Sequence, residues 1–349
     1  MAVGLPLKTT YANGDVYSAQ DVNDITGTVN QIGQTNNFYA GKNKIINGDF
    51  NIWQRGGTST TNGAWNYFAD RFQSYNYGGT FSPSRQTFTA GTAPVAGYEA
   101  QYFLRINSSL TGSTVAQPIE DVRTLAGQTA TISLWAKSDS SNALKISMFQ
   151  VFGSGGSGTV TVLNNAAMAT LTTSWVRYSY TVAIPSISGK TVGTSSNLFL
   201  QFTGDTSKNL DVWGVQVEAG STATAFQTAT GTIQGELAAC QRYYYLANAD
   251  NPTGVLGLGT YNQNSEAIGF LSFPVSMRIA PTASVASGTD FWVFWSKNSP
   301  DYVNSLTGFG ATPTGCGFFN ASQASGTAGD AGRWQGVFST SLIAFSAEL

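Results

Sequence analysis

Chemistry in this chain has to come from carboxylates, aromatic rings and amides, because histidine is absent from all 349 residues. That absence excludes Ser-His-Asp and Cys-His nucleophile systems, His general bases and every zinc site that needs imidazole. Cys240 and Cys316 are the only two cysteines. They lack Cys-x-x-Cys spacing and are too few for a disulfide framework, so they read as buried thiols. Glycoside hydrolysis would need two carboxylates facing one cleft. Glu120 and Asp121 are sequence neighbours, which on a strand point to opposite faces. Asp49, Asp70, Asp205, Asp211 and Glu218 lie near expected strand ends or turns, where such side chains satisfy backbone donors. No acidic loop has the density of an EF-hand. The expectation is therefore a protein that is not an enzyme, with no cofactor and no metal. GSGGSG at Gly153 to Gly158 has no following Lys-Ser/Thr and does not open a helix, so it reads as a hairpin loop and not as a phosphate cradle.

The aromatic side chains are the remaining resource. Flat rings stack on the apolar face of a sugar while amides and hydroxyls take its hydroxyl groups, and amphipathic rings favour partly wet positions. Trp292, Trp295, Tyr302 and Trp334 sit among Ser, Asn and Gly and are the candidate glycan-binding residues. Trp65, Tyr67, Tyr75 and Tyr77 sit in a similar setting earlier in the chain. Core or inter-chain packing is the alternative for each ring.

These groups need elements to hold them. The hydrophobic fraction of 42% and the aromatic fraction of 13% are globular values and exclude a wholly disordered chain. A length of 349 residues suggests about two domains. Seventeen basic and 19 acidic residues leave a net charge of −2, with no basic block to serve as a nucleic-acid footprint. The opening MAVGLPLKTTYANGD lacks a secretory pattern and no run of 18 apolar residues occurs, so a soluble protein made in a cytoplasm, without membrane insertion, is expected.

From Ser18 to about Gln34 the apolar residues Val22, Ile25, Val29 and Ile32 are spaced 3, 4, 3, the a/d rhythm of a coiled coil. All four are β-branched, which shifts packing toward three or more strands. A short helix lying on its own domain is the other reading of the same spacing. From Lys44 to about Gln227 the period becomes two. Ile132, Leu134 and Ala136, then Leu144, Ile146 and Met148, then Val176, Tyr178, Tyr180, Val182 and Ile184, then Leu198, Leu200 and Phe202 each alternate with polar or small residues. One buried and one wet face, separated by Gly/Ser/Asn turns, suit an antiparallel jelly-roll sandwich. GTIQGELAACQRYYY, after Gln227, is read as a short helix or strand. Beyond it, Phe270 to Met277, Phe291 to Trp295, Gly317 to Phe319 and Val337 to Phe345 read as strands apolar on both faces. That pattern suggests burial against another chain, or else a second sandwich core.

KIINGDFNIWQRGG from Lys44 and FADRF from Phe68 resemble the opening of the sandwich domain of bacteriophage tail fibre proteins. The resemblance resumes at ISLWAKS (Ile132 to Ser138), DVWGVQVEAGSTATAFQ (Asp211 to Gln227), ELAACQRYYY (Glu236 to Tyr245) and FPVSMRIAPT (Phe273 to Thr282). Phe72, Val217 and Ala225 depart from the residues common there without breaking an alternation. YANGDVYSAQDVNDITGTVNQI is similar to the segment by which such fibres plug into a tail or baseplate. The resemblance implies a homotrimer with its N-terminus on the virion and its C-terminal domain facing the host surface. Its sugar-stacking positions do not match residue by residue, so it transfers no binding residue.

The expected architecture is mainly β: a virion attachment segment at 1–17, a short trimeric coiled coil and linker at 18–43, a jelly-roll β-sandwich at 44–230 and a C-terminal β-rich tip domain at 231–349. The expected role is a trimeric tail fibre that binds host surface glycans and a tail or baseplate protein. A polysaccharide depolymerase and a purely structural collar or spacer are the alternatives.

Overall fold

The computed structural model describes residues 40–56, 63–78, 81–95, 98–108, 114–204, 208–248, 251 and 253–349. The coiled-coil positions Val22, Ile25, Val29 and Ile32, and the attachment segment before them, lie outside the described residues.

The first unit is a two-sheet antiparallel sandwich. One sheet orders β1 (Trp65–Ala69), β2 (Phe72–Tyr75), β5 (Thr114–Glu120), β10 (Asn197–Thr203), β7 (Asn142–Val151) and β8 (Val160–Leu171). The other orders β3 (Phe81–Thr87), β4 (Tyr102–Ser108), β11 (Asn209–Ala219), β6 (Thr129–Ser138) and β9 (Val176–Ala183). The orders β5-β10-β7-β8 and β4-β11-β6-β9 are those of a jelly roll, as the alternation suggests. Ile132, Leu134, Ala136, Leu144, Ile146, Met148, Leu198, Leu200 and Phe202 meet between the sheets in one buried cluster.

The wet second face expected of every strand fails on β6. Thr131, Ser133 and Trp135 are buried as well, because a second apolar layer covers that sheet: Phe88, Phe103, Trp135, Trp213 and Phe226 pack together. Gly214 makes this possible. The β6–β11 register shifts between Trp213 and Gln216, and Gly214 takes φ +64° with a would-be Cβ only 2.8 Å from the Trp135 ring. Glycine lets the backbone bulge there and press against the indole.

GTIQGELAACQRYYY resolves into α1 (Ile233–Gln241) followed by β12 (Tyr244–Ala247). Thr232 caps the helix by accepting from the Gly235 N–H at 3.1 Å. The second unit then holds a three-stranded sheet, β12-β21-β15, with β15 at Thr282–Val285 and β21 at Ile343–Ser346. Its larger sheet orders β17 (Ser299–Val303), β16 (Trp292–Ser296), β20 (Ala331–Gly336), β13 (Val255–Gln263), β14 (Glu266–Ser272), β19 (Gly315–Asn320) and β18 (Thr307–Thr312). Two expected strands are shorter than the sequence suggests. β14 stops at Ser272, just ahead of Pro274, since proline cannot donate to a ladder. Of Val337 to Phe345 only the last three residues are extended, and the preceding Ser-Thr-Ser forms a turn.

The two units meet at a charged seam. Arg71 follows Asp70 in the β1–β2 turn with φ +68°, is 1% exposed and pairs with Glu348. The same guanidinium donates to the Pro118 carbonyl at 2.6 Å and lies 3.5 Å from the Tyr243 ring centre. Arg55 reaches Glu348 at 2.6 Å from the other side and sits 3.7 Å from the Tyr244 ring centre. Outside this core Arg242 binds Glu120 at 3.0 Å, and Arg278 donates to the Ala347 and Glu348 carbonyls at 2.8 and 2.6 Å.

Removing one partner of a buried pair leaves an uncompensated charge, at a cost of about 3–5 kcal/mol. Arg71→Met or Glu348→Gln alone should therefore lower the melting temperature strongly. The double variant should lose markedly less than the sum of the two, measured by thermal denaturation of all four proteins.

Candidate functional site

The outer face of the six-stranded sheet carries the residue types that the sequence offers for recognising sugars. Alternation sends Leu144, Ile146 and Met148 of β7 and Leu198, Leu200 and Phe202 of β10 inward, so Lys145, Ser147, Phe149, Phe199 and Gln201 point the other way. Cross-strand pairing sets Phe199 opposite Phe149 and Gln201 opposite Ser147. Further along the sheet Trp65 pairs with Tyr75. Ring centres lie 5.1 Å apart for Trp65 and Phe199, 5.2 Å for Trp65 and Tyr75 and 4.5 Å for Tyr75 and Tyr77. This row ends at Tyr77, which is 65% exposed.

Beside the row runs an open groove of about 440 Å³, lined by Tyr77, Lys145, Ser147, Phe149, Asn164, Asn165 and Gln201 among others. Its wall is made by bulging: β7 and β8 slip register at three places, Asn165 takes φ +49° and its N–H donates to Ser147 Oγ at 2.9 Å. The slip turns two successive amide side chains to the groove, which an unbroken strand would not do. Rings, amides and hydroxyls around a shallow cleft can stack on a pyranose and exchange hydrogen bonds with its hydroxyls. The other end of this sheet face is closed, because Tyr67 donates to the Leu349 carbonyl and Glu120 is held by Arg242 and Tyr243.

The four candidate rings of the second unit divide by strand alternation. Trp292 and Trp334 are fully buried, and their indole N–H groups donate to the Ala286 and Ile268 carbonyls at 2.9 and 3.1 Å. Both serve the core, with no face open to a ligand. Trp295, half-buried, and Tyr302, 44% exposed, sit on the outer face of the seven-stranded sheet. Sequence alone did not single out Phe149, Phe199, Gln201 or the Asn164–Asn165 pair. Alternation does mark them as outward, but their convergence depends on which strands are neighbours.

Most acids are engaged structurally. Asp211 takes a two-toothed grip from Arg105 at 2.6 and 2.7 Å. Glu218 accepts from Thr224 N–H and Oγ at 2.8 and 2.7 Å. Asp205 lies outside the described residues. Burial works against ionisation of Glu120, yet the hydrogen bonds from Tyr243 and Arg242 prevail and hold its carboxyl below the ordinary range. Asp70 and Asp49 behave oppositely. Burial raises Asp70 to about 6 despite two hydrogen bonds from Gln54. Burial, with repulsion from Glu236, raises Asp49 to about 6.

No family model matches this chain, and no curated protein matches it. Solved structures that resemble it include the CBM22-1 xylan-binding domain from Paenibacillus barcinonensis Xyn10C, with 15% identity over 53% of this chain and 99% of that one and a TM-score of 0.33. The enzymatically active domain of bacteriophage CBA120 tailspike protein 4 shows 11% identity over 51% of this chain, a TM-score of 0.33, and 22% of its own length covered. The CBM22-1–GH10 modules of Clostridium thermocellum Xyn10B with xylohexaose show 14% identity over 45% of this chain, a TM-score of 0.30, and 27% of their own length covered. At TM-scores this low, none of the three says what this chain binds.

The raised carboxyls set a pH dependence. A folded-state pKa above the unfolded 3.8 means that the folded chain holds more protons between about pH 4 and 6, so stability rises as pH falls through that window. With no histidine in the chain, these two groups should make melting occur a few degrees higher at pH 5 than at pH 7.5. The gain is on the order of 1 kcal/mol per group. Asp49→Asn should raise stability at pH 7.5 and flatten the profile. Below the ordinary carboxylate range the trend should reverse as Glu120 loses its ionised form.

Proposed function

We propose that this chain is a bacteriophage tail fibre adhesin that holds host surface glycans on the outer face of its sandwich. The observation that carries the reading is the open groove of about 440 Å³ where Tyr77 and Phe149 meet Ser147, Asn164, Asn165 and Gln201. Low charge, with 17 basic and 19 acidic residues, suits a target read by stacking and hydrogen bonds. The tail fibre resemblance of the sequence supplies the biological setting: residues 1–17 attach to a tail or baseplate protein and the heptad residues 18–34 join three copies. Adhesion then needs no bond-breaking step, and weak single-site contacts repeated three times give useful attachment.

Self-association has a second support. Leu258 and Phe270 lie directly opposite each other on β13 and β14 and are 72% and 63% exposed, with Val255 beside them at 55%. Phe270 belongs to a strand expected to be apolar on both sides, whereas Val255 and Leu258 lie on a strand for which that was not expected; three copies in parallel would cover this face.

A glycan array probed with the full chain should give binding to host polysaccharide. Tyr77→Ala and Gln201→Ala should each weaken that binding roughly tenfold, equivalent to about 1.4 kcal/mol. Unchanged binding in both variants would sink the groove reading, and release of new reducing ends from the bound glycan would make the protein a depolymerase instead. Light scattering should return a mass near three times 36.8 kDa, and Leu258→Glu with Phe270→Glu should reduce it or leave an insoluble chain.

A further inference from the structure

A second cavity, of about 370 Å³, lies where the NGDFN turn, Tyr98 and the start of α1 come together. Asn47 shapes this turn with φ +60° and Phe50 with φ +57°, and the Asn47 amide donates to the Ile52 and Asp70 carbonyls at 2.8 and 3.1 Å. The turn directs Asp49 and Asn51 to the cavity, where Tyr98, Phe226 and Gln227 face them.

The walls carry hydrogen-bonding capacity that the protein leaves unused. Asp49 is 3% exposed. Its Oδ2 accepts from Asn51 Nδ2 at 2.6 Å and from the Tyr98 hydroxyl at 3.3 Å, and the Asn51 backbone N–H also approaches the carboxylate, while its Oδ1 is buried without a well-formed hydrogen bond of its own. Asn51 Oδ1 is in the same state, as is Nε2 of Gln227, a residue only 7% exposed. Of nine such buried atoms among the described residues, three belong to residues that line this one cavity. Leaving a buried polar group unpaired is costly. Glu236 differs: fully buried, it accepts from Asn47 N–H, Thr230 N–H and Thr230 Oγ at 2.7, 2.7 and 2.9 Å. Its charge is spent on fixing α1 to the turn.

The unmet groups select the ligand. Two acceptors and one donor lack partners together in the residues of the cavity wall. A bare cation would use both oxygens and leave the Gln227 N–H idle, whereas an anion would face Asp49 and Glu236. A hydroxyl group gives and accepts at once, and adjacent hydroxyls can serve acceptor and donor in turn. Tyr98 and Phe226, with ring centres 5.6 Å apart and planes at 79°, supply an apolar wall for the carbon face of a ring. We infer that this cavity binds one neutral sugar unit through Asp49, Asn51 and Gln227. The site is separate from the groove on the six-stranded sheet and does not depend on it.

The test uses the full chain with methyl glycosides of glucose, galactose, mannose and N-acetylglucosamine, followed by ligand-detected saturation-transfer NMR. At least one glycoside should receive saturation, keep it in the groove variant Tyr77→Ala, and lose affinity at least tenfold in Asp49→Asn and in Gln227→Met. Asn51→Ala takes the place of either variant that fails to fold by circular dichroism. Saturation abolished by Tyr77→Ala but untouched by the cavity variants would overturn the assignment while leaving the groove intact. Absence of transfer from all four glycosides would mean that the cavity holds water only. Calcium chloride alone raising the melting temperature of the wild type, but not of Asp49→Asn, would make this a cation site and equally overturn it.

Discussion

A guanidinium with almost no access to water holds the two units of this protein together. Arg71 sits at the seam, 1% exposed, and such a charge is tolerable only where an opposite charge and hydrogen bonds meet it; its two terminal nitrogens have partners, while its Nε is buried without one. Glu348 provides the charge, the Pro118 carbonyl accepts one N–H, and the Tyr243 ring covers the face. Each of these partners comes from a different part of the chain, so the cation fixes β5, the short link between α1 and β12 and the C-terminal tail at once. Tyr67 and Tyr243 lie in the same enclosure, and burial raises the pKa of both phenols, that of Tyr243 to about 12. They therefore stay neutral and leave the balance between Arg71, Arg55 and Glu348 undisturbed at physiological pH.

The seam also decides which surface is open. Docking of the second unit covers the Tyr67 and Glu120 end of the six-stranded sheet, and the rest of that face, with the Trp65–Tyr75–Tyr77 row, remains accessible. The opposite sheet is closed over by its own aromatic layer around Trp213. A sandwich with two outer faces has thus been turned into one with a covered side and an open side. Cation and rings share in both tasks: Arg55 lies against Tyr67 and Tyr244 at the seam, where the guanidinium replaces the water that those faces would otherwise meet.

Much of the fold was legible in the sequence because alternation is a local property. Ile132, Leu134 and Ala136 fall on the inner face as expected, and so do Leu144, Ile146 and Met148. Burial of Trp135 was not legible, since it depends on Phe88 and Phe226 arriving from distant parts of the chain. The same limit explains the rings of the second unit. Trp292 and Trp295 share one strand and similar neighbours in sequence, yet one fills the core and the other lies outside. The groove was legible only as composition: Tyr75 and Tyr77 stood out, but Phe149 and Gln201 became neighbours of that surface through the β5-β10-β7 order. Asp70 and Arg71 were visible as part of a motif, while their partner Glu348 had no local signal at all.

The Arg71–Glu348 contact joins residues 277 positions apart. Loop-closure entropy disfavours drawing those two points together before the sandwich and the second unit have formed, so late closure of the seam is the expected order. Contacts of such separation slow the search for the native topology. Until the seam closes, the cation, its tyrosines and the open end of the sheet would all be exposed, so the contact that fixes the two units also hides their least soluble edge.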